Sequence, residues 1–170
     1  MIGNDVVDIS QSRLESNWQR PGFIQKIFTD DEKRCITNTN DPEILIWLLW
    51  SMKEAAYKIY NRRTGSRHYI PKKFECTILH EENTYCTGHV KCLGTLYYTR
   101  TIITQESLYT IAVTQMEHLD CVIEVEKKLI LKNAYGIPYL YDNNTTIHRD
   151  VSVSNHGRFE KVATLKLDSQ

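Results

Sequence analysis

No stretch of this sequence approaches the ~18 consecutive apolar residues of a membrane-spanning helix, and the run from Ile44 to Trp50 falls far short of it. An excess of either charge is also missing. Lys and Arg total 21 and Asp and Glu total 21, so nothing global attracts a polyanion such as nucleic acid. The five cysteines, at positions 35, 76, 86, 92 and 121, are an odd number and contain no C-x-x-C pair. Cys86-x-x-His89-x-x-Cys92 has no clear fourth ligand nearby, so it reads as thiols in a reducing compartment rather than as a zinc site. The opening residues bring two acids by position 8 and no apolar h-region, so no secretory signal is expected and the chain reads as soluble and cytoplasmic. With 41% hydrophobic residues over 170 positions, the chain can bury a core without disulfides or a structural metal. One domain over residues 1–170 is expected.

What is present begins with a β-branched segment, Ile2 to Ile9, which suits a short strand around two aspartates. Thr29 to Glu32 has the S/T-x-x-E spacing of a capping box and predicts a helix start. Asp41, Pro42 and Glu43 predict a second start: a side-chain cap, a proline in the first helical position and an acid at the positive end of the dipole. From Pro42 to about Asn61 the period is helical, with Leu45, Leu48, Leu49, Met52, Ala56 and Ile59 on one apolar face. Gly65 and Pro71 punctuate a loop. Strands are expected at Phe74 to Leu79, His89 to Tyr98, Leu108 to Thr114, Cys121 to Val125, Asp150 to Ser154 and Val162 to Leu167. Lys127 to Leu131 suits helix or strand, Asn143 to Thr146 a turn, and Gly136 to Pro138 a loop or the start of a strand. This order, without regular β-α-β alternation, predicts an α+β fold.

Three polar clusters carry candidate chemistry. Trp50, Glu54 and Lys58 are spaced by four and share a helix face, with Lys53 beside them. A carboxylate between two lysines is either an exposed pair worth about a few tenths of a kcal/mol or a chemical centre. Asp5 and Asp8 stand either at an exposed strand end or, with Glu54, as ligands for Mg²⁺, which takes one or two carboxylates and completes its shell with water and substrate phosphates. Ser152, Ser154, Asn155, His156 and Arg158 crowd around Gly157, as an ordinary polar turn or as a cradle for phosphate oxygens. A Mg²⁺-dependent nuclease is disfavoured: the D…(D/E)-x-K spacing is absent and the chain is not basic.

Taken together and in this order, these segments resemble the 4′-phosphopantetheinyl transferase superfamily. Gly3 to Ile9 resembles its first signature, a glycine and an aspartate two residues on, and Trp50 to Lys58 matches W-x-x-K-E-A-x-x-K in every fixed position. Ile27 to Glu32 is similar to the segment ahead of the helix. Gly136 to Tyr139 resembles G-K-P-Y, while Ser152 to His156 with Val162 and Ala163 resembles S-x-S-H and V-A. The order, aspartate strand first and G-x-P and S-x-S last, is that of holo-acyl-carrier-protein synthases rather than of the longer surfactin-type enzymes. Val7 stands where those longer enzymes carry a second acid, and Asp8 where the synthases carry a glutamate. Two departures stand out: Asn155 occupies the position of the S-x-S-H histidine, with His156 one place later, and residues of about 79–133 exceed what a typical synthase holds there, as a β-rich insertion.

The resemblance implies an antiparallel sheet packed against a long helix. It implies transfer of the 4′-phosphopantetheine group from coenzyme A to a serine of an apo-acyl carrier protein, with Mg²⁺ and release of 3′,5′-ADP. Asp5 and Glu54 would hold the metal, and Glu54 and Lys58 would be catalytic. Lys53, Lys58, Gly136, Pro138, Tyr139, Ser152, Ser154, Asn155 and His156 would contact coenzyme A. The serine proton would go to Glu54 or to a metal-held water beside it. Arg13, Arg20 and Lys26 would meet an acidic carrier helix. One copy of each motif implies a homo-oligomer, a trimer rather than a dimer. The alternative is a catalytically silent relative that binds coenzyme A or a carrier protein.

Overall fold

The computed structural model describes residues 1–141 and 148–166. The expected turn at Asn143 to Thr146, and Leu167 at the end of the last expected strand, lie outside the described residues. The first strand, β1 (Ile2–Asp8), runs into α1 (Ile9–Glu15), α2 (Phe23–Ile27), α3 (Asp30–Asn38) and the long α4 (Pro42–Thr64). Strands β2 (Glu75–Glu82), β3 (Tyr85–Cys92), β4 (Thr95–Ile103) and β5 (Ser107–Val113) follow. Then come β6 (Val122–Glu124), β7 (Ile130–Lys132), β8 (Pro138–Tyr141), β9 (His148–His156) and β10 (Phe159–Leu165). No described helix is long and apolar enough to cross a membrane.

Local chemistry sets the helix ends. The Thr29 hydroxyl accepts from Glu32 N at 3.3 Å and the Glu32 carboxylate accepts from Thr29 N at 2.8 Å, closing the capping box. Asp41 accepts from Ile44 N at 3.1 Å to start α4, and Gly65 ends it with φ 68, a left-handed conformation open to glycine. The expected apolar face of α4 is buried.

The fold is α+β, as expected, but with two antiparallel sheets. Their strand orders are β1-β5-β4-β3-β2 and β6-β10-β9-β8-β7. The single strand expected over His89 to Tyr98 is instead the middle of a hairpin. Leu93 and Gly94 turn it with φ of 47 and 80, the positive values that match a two-residue turn to strand twist. The turn escapes the sequence pattern because a leucine occupies a position usually held by Asn or Gly. Lys127–Leu129 forms a short 3-10 turn before β7. Within the expected insertion, β5 is the ladder partner of β1, with Asp5 opposite Thr110.

Strand β1 is the hinge of the architecture, because its two faces meet different layers. Gly3, Asp5 and Val7 face α4: a Cβ on Gly3 would stand 2.0 Å from Ala55 O, so only glycine admits the helix this close. Ile2, Asn4, Val6 and Asp8 face the second sheet. Asn4 N donates to Ser152 Oγ at 2.8 Å, and Asn4 Nδ2 to Lys161 O at 3.1 Å. One core, with Leu48, Met52, Ala56 and Leu108, fills the space between α4 and the first sheet. A second, with Ile2, Val6, Ile111, Val113 and Ala163, lies between the sheets.

Candidate active site

Asp5 and Glu54 come together where β1 crosses α4. Burial raises the Asp5 pKa, opposed by the Lys58 ammonium and the nearby Ser51 hydroxyl. Its Oδ2 is buried without a hydrogen bond of normal geometry among the described residues. Glu54 is pushed up to about 7, first by burial and then by the Asp5 charge, with Lys58 and the Tyr69 hydroxyl pulling the other way. Two carboxylates raised by burial, the Asp5 charge adding to the rise at Glu54, beside a single lysine leave negative charge uncompensated. That is the electrostatic condition of a cation site.

Lys58 sits at the seam of helix and both sheets. Its Nζ donates to Asn4 O at 2.6 Å and Val153 O at 3.3 Å, and lies 3.5 Å from Asp5 Oδ1. Two clefts meet at this ion pair. The first, about 400 Å³, is lined by Asp5, Glu54, Trp50, Phe23, Arg20, Asn155 and His156. The second, about 370 Å³, is lined by Lys58, Arg62, Arg67, Gly136, Pro138 and Ser152. Arg62 lashes α4 to the second sheet through Pro138 O, Val151 O and the Asp150 carboxylate. Arg20 stacks on Phe23 at 5.3 Å, whereas Arg13 is already paired with Glu43 at 2.7 Å.

Several expected site residues go elsewhere. Lys53 does not reach the clefts: it is 0% exposed and donates to Glu32 Oε1 at 2.8 Å, to Pro71 O at 3.2 Å and to Phe74 O. The same Glu32 oxygen accepts from Cys76 N at 2.8 Å, so the expectation of a coenzyme A contact for Lys53 is corrected to a buried structural pair. Asp8 turns away from Asp5, because residues three apart on a strand face opposite sides. It caps α1 through Ser10 N and Gln11 N and is gripped by Arg158, whose guanidinium holds its pKa well below the usual carboxylate range.

The β9 segment divides in the same way. Ser152, Ser154 and His156 share the face packed on β1. The Ser152 hydroxyl borders the second cleft but is occupied by Asn4 N–H. Ser154 is buried, its Oγ without a hydrogen bond among the described residues, and it lines neither cleft, so its expected phosphate contact is not formed by this arrangement. His156 Nδ1 accepts from Asp8 N at 2.9 Å, which leaves the proton on Nε2, 3.2 Å from Glu15. Asn155 is exposed in the first cleft, and Tyr139 lies in β8 opposite Asp150.

Cys86 and Cys92 are buried on one face of β3 and His89 stands on the other. Among the described residues no three His, Cys, Asp or Glu side chains converge on a possible metal position. The sequence reading missed Arg62 and Tyr69. Arg62 continues the four-residue spacing of Glu54 and Lys58 on α4 and could have been found from it, whereas Tyr69 carries no local signal and reaches the site by packing.

The comparisons with known proteins bear on this arrangement of an acid on β1 with an acid and a lysine on α4. The family model of the 4′-phosphopantetheinyl transferase superfamily matches residues 1–114. The chain belongs to this superfamily. The match takes in β1, α4 and β5 and ends before the β8 and β9 segments. Among solved structures, the holo-[acyl-carrier-protein] synthase (AcpS) of Thermotoga maritima is similar at 14% identity, over 86% of this chain and 83% of that chain, with a TM-score of 0.46. No curated protein matched the chain.

Proposed function

We propose that the protein transfers the 4′-phosphopantetheine group of coenzyme A to a serine of an apo-acyl carrier protein, with Mg²⁺, releasing 3′,5′-ADP. The observation that carries this reading is the Asp5–Glu54 pair beside Lys58, with an orphaned Asp5 oxygen, in a chain of this superfamily. The donor set fits a hard cation, since Mg²⁺ needs only one or two carboxylates from the protein. When bound, the ion, held by Asp5 and Glu54, would supply positive charge to offset that of the diphosphate.

The remaining work falls to the chain's own groups. The serine oxygen bonds to the β-phosphorus as the bond to 3′,5′-ADP breaks, so placement and charge stabilisation set the barrier. Lys58, held between the clefts, neutralises charge that develops on the α-phosphate leaving with 3′,5′-ADP. Glu54 receives the serine proton, directly or through water. Arg62, Arg67, Gly136 and Pro138 frame the nucleotide end in the second cleft. Arg20 and Lys26 offer positive charge to an acidic carrier helix. The chain acts as one domain and assembles as a homo-oligomer, a trimer rather than a dimer, in the cytoplasm; an active monomer in light scattering would overturn the assembly.

The test is to incubate the protein with coenzyme A, Mg²⁺ and a panel of apo-carrier proteins and to weigh the carriers by mass spectrometry. Asp5→Ala and Glu54→Ala should abolish the mass gain without unfolding the protein. Either variant working normally at limiting Mg²⁺ would sink the metal assignment. Coenzyme A binding without transfer to any carrier would mark a silent relative instead.

A further inference from the structure

Tyr69 belongs to none of the sequence motifs, yet the fold lays it across Glu54. Gly65 ends α4, and the following loop folds back along the helix. The Tyr69 ring packs on Trp50 at 5.9 Å, on Tyr57 at 4.6 Å and on Phe74 at 5.7 Å between centroids. Trp50 and Tyr57 lie one turn before and one turn after Glu54, so a ring wedged between them spans the face that carries the carboxylate. The hydroxyl is buried with no closed hydrogen bond among the described residues, and the Glu54 carboxylate is the neighbour to which it can donate. A buried hydroxyl without an acceptor costs about 1–3 kcal/mol, so this placement is favourable chiefly when Glu54 accepts from it.

We propose that Tyr69 is a positioning residue: its hydroxyl hydrogen-bonds the Glu54 carboxylate and fixes its orientation, leaving the other oxygen for the cation shared with Asp5. The inference rests on the Mg²⁺ reading above. Carboxylates that ligate a metal are themselves held by hydrogen bonds from an outer ring of residues, and loss of such a partner weakens metal binding. The aromatic cage gives Tyr69 the rigidity this role needs, since a donor on a mobile loop would not fix a rotamer.

Isothermal titration with Mn²⁺ on the intact protein tests the idea apart from turnover. Tyr69→Phe keeps the ring and should weaken Mn²⁺ binding roughly tenfold, with the Mg²⁺ concentration for half-maximal rate raised by about the same factor. The rate at saturating Mg²⁺, the KM for coenzyme A and the melting temperature should stay close to those of the natural protein. Val113→Ala, in the core between the sheets and outside the cage, is the packing control: it should lower the melting temperature while leaving Mn²⁺ affinity largely intact. Natural-level Mn²⁺ affinity in Tyr69→Phe would overturn the proposal, as would an equal loss in Val113→Ala. Natural protein that binds no Mn²⁺ would overturn the metal reading and this inference with it. Binding by the natural protein but not by Glu54→Gln, with Tyr69→Phe unaffected, would overturn Tyr69's role alone.

Discussion

In metal-free protein at pH 8, Glu54→Gln should be more stable than the natural chain. The Glu54 carboxyl is pushed up to about 7 from an ordinary 4.5 by burial and by the Asp5 charge. That gap of about 2.5 pH units corresponds to about 3 kcal/mol at ~1.4 kcal/mol per unit. Because the folded-state value is the higher one, the stability is fully present below pH 4.5 and is lost as pH rises through about 7. Above that, the fold carries an ionised carboxylate it would rather protonate. Glutamine keeps the shape and removes the charge. For a chain of this size the gain corresponds to roughly 6–12 °C in melting temperature. Circular dichroism melts in chelator at pH 5 and pH 8 measure it, and the difference should shrink to about 1 kcal/mol at pH 5, where the folded carboxyl is protonated but the unfolded one is mostly ionised. Saturating Mg²⁺ should raise the melting temperature of the natural protein and do little for the variant. A variant that melts at or below the natural protein at pH 8, or that differs by the same amount at both pH values, would refute the argument.

Lys53→Met should destabilise the protein by about 3–5 kcal/mol in urea unfolding, because it leaves the Glu32 carboxylate buried without its cation. Adding Glu32→Leu should recover only part of the loss, since Glu32 also accepts from Thr29 N and Cys76 N. Normal stability with a raised KM for coenzyme A would return Lys53 to the substrate site. Asn155→His places an imidazole in the first cleft and should lower the KM for coenzyme A several-fold below pH ~6.5, as a charge-assisted hydrogen bond exceeds a neutral one by about 1 kcal/mol. No change at pH 6 would remove position 155 from the phosphate site.

Much of the local order is legible in the chain. The capping box at Thr29, the Asp41-Pro42 start and the apolar period of α4 each depend on residues within a turn or two of one another, and each forms as read. The separation of Asp5 from Asp8, which the sequence reading took together as candidate ligands, follows from the strand period, since positions three apart lie on opposite faces. Lys53 was half legible: it stands one turn after Leu49 and one before Ala56, at the border of the apolar face. Nothing nearby in sequence says that Glu32 waits inside the core to receive it.

The sequence by itself determined the starts of α3 and α4, the superfamily motifs and the pairing of Asp5 with Glu54 as candidates for one site, but not α1, α2 or the β3–β4 hairpin. Only the tertiary structure decided which lysine of the motif faces the clefts. It also decided that Ser152, Ser154 and His156 serve the seam with β1 and that Tyr69 covers Glu54. The physical reason is range. Caps and periods are set by backbone geometry over a few residues, whereas the direction and charge state of a side chain depend on what packs against it. Here those partners arrive from well beyond a helical turn, 21 residues away for Lys53 on Glu32 and 150 for Asp8 on Arg158.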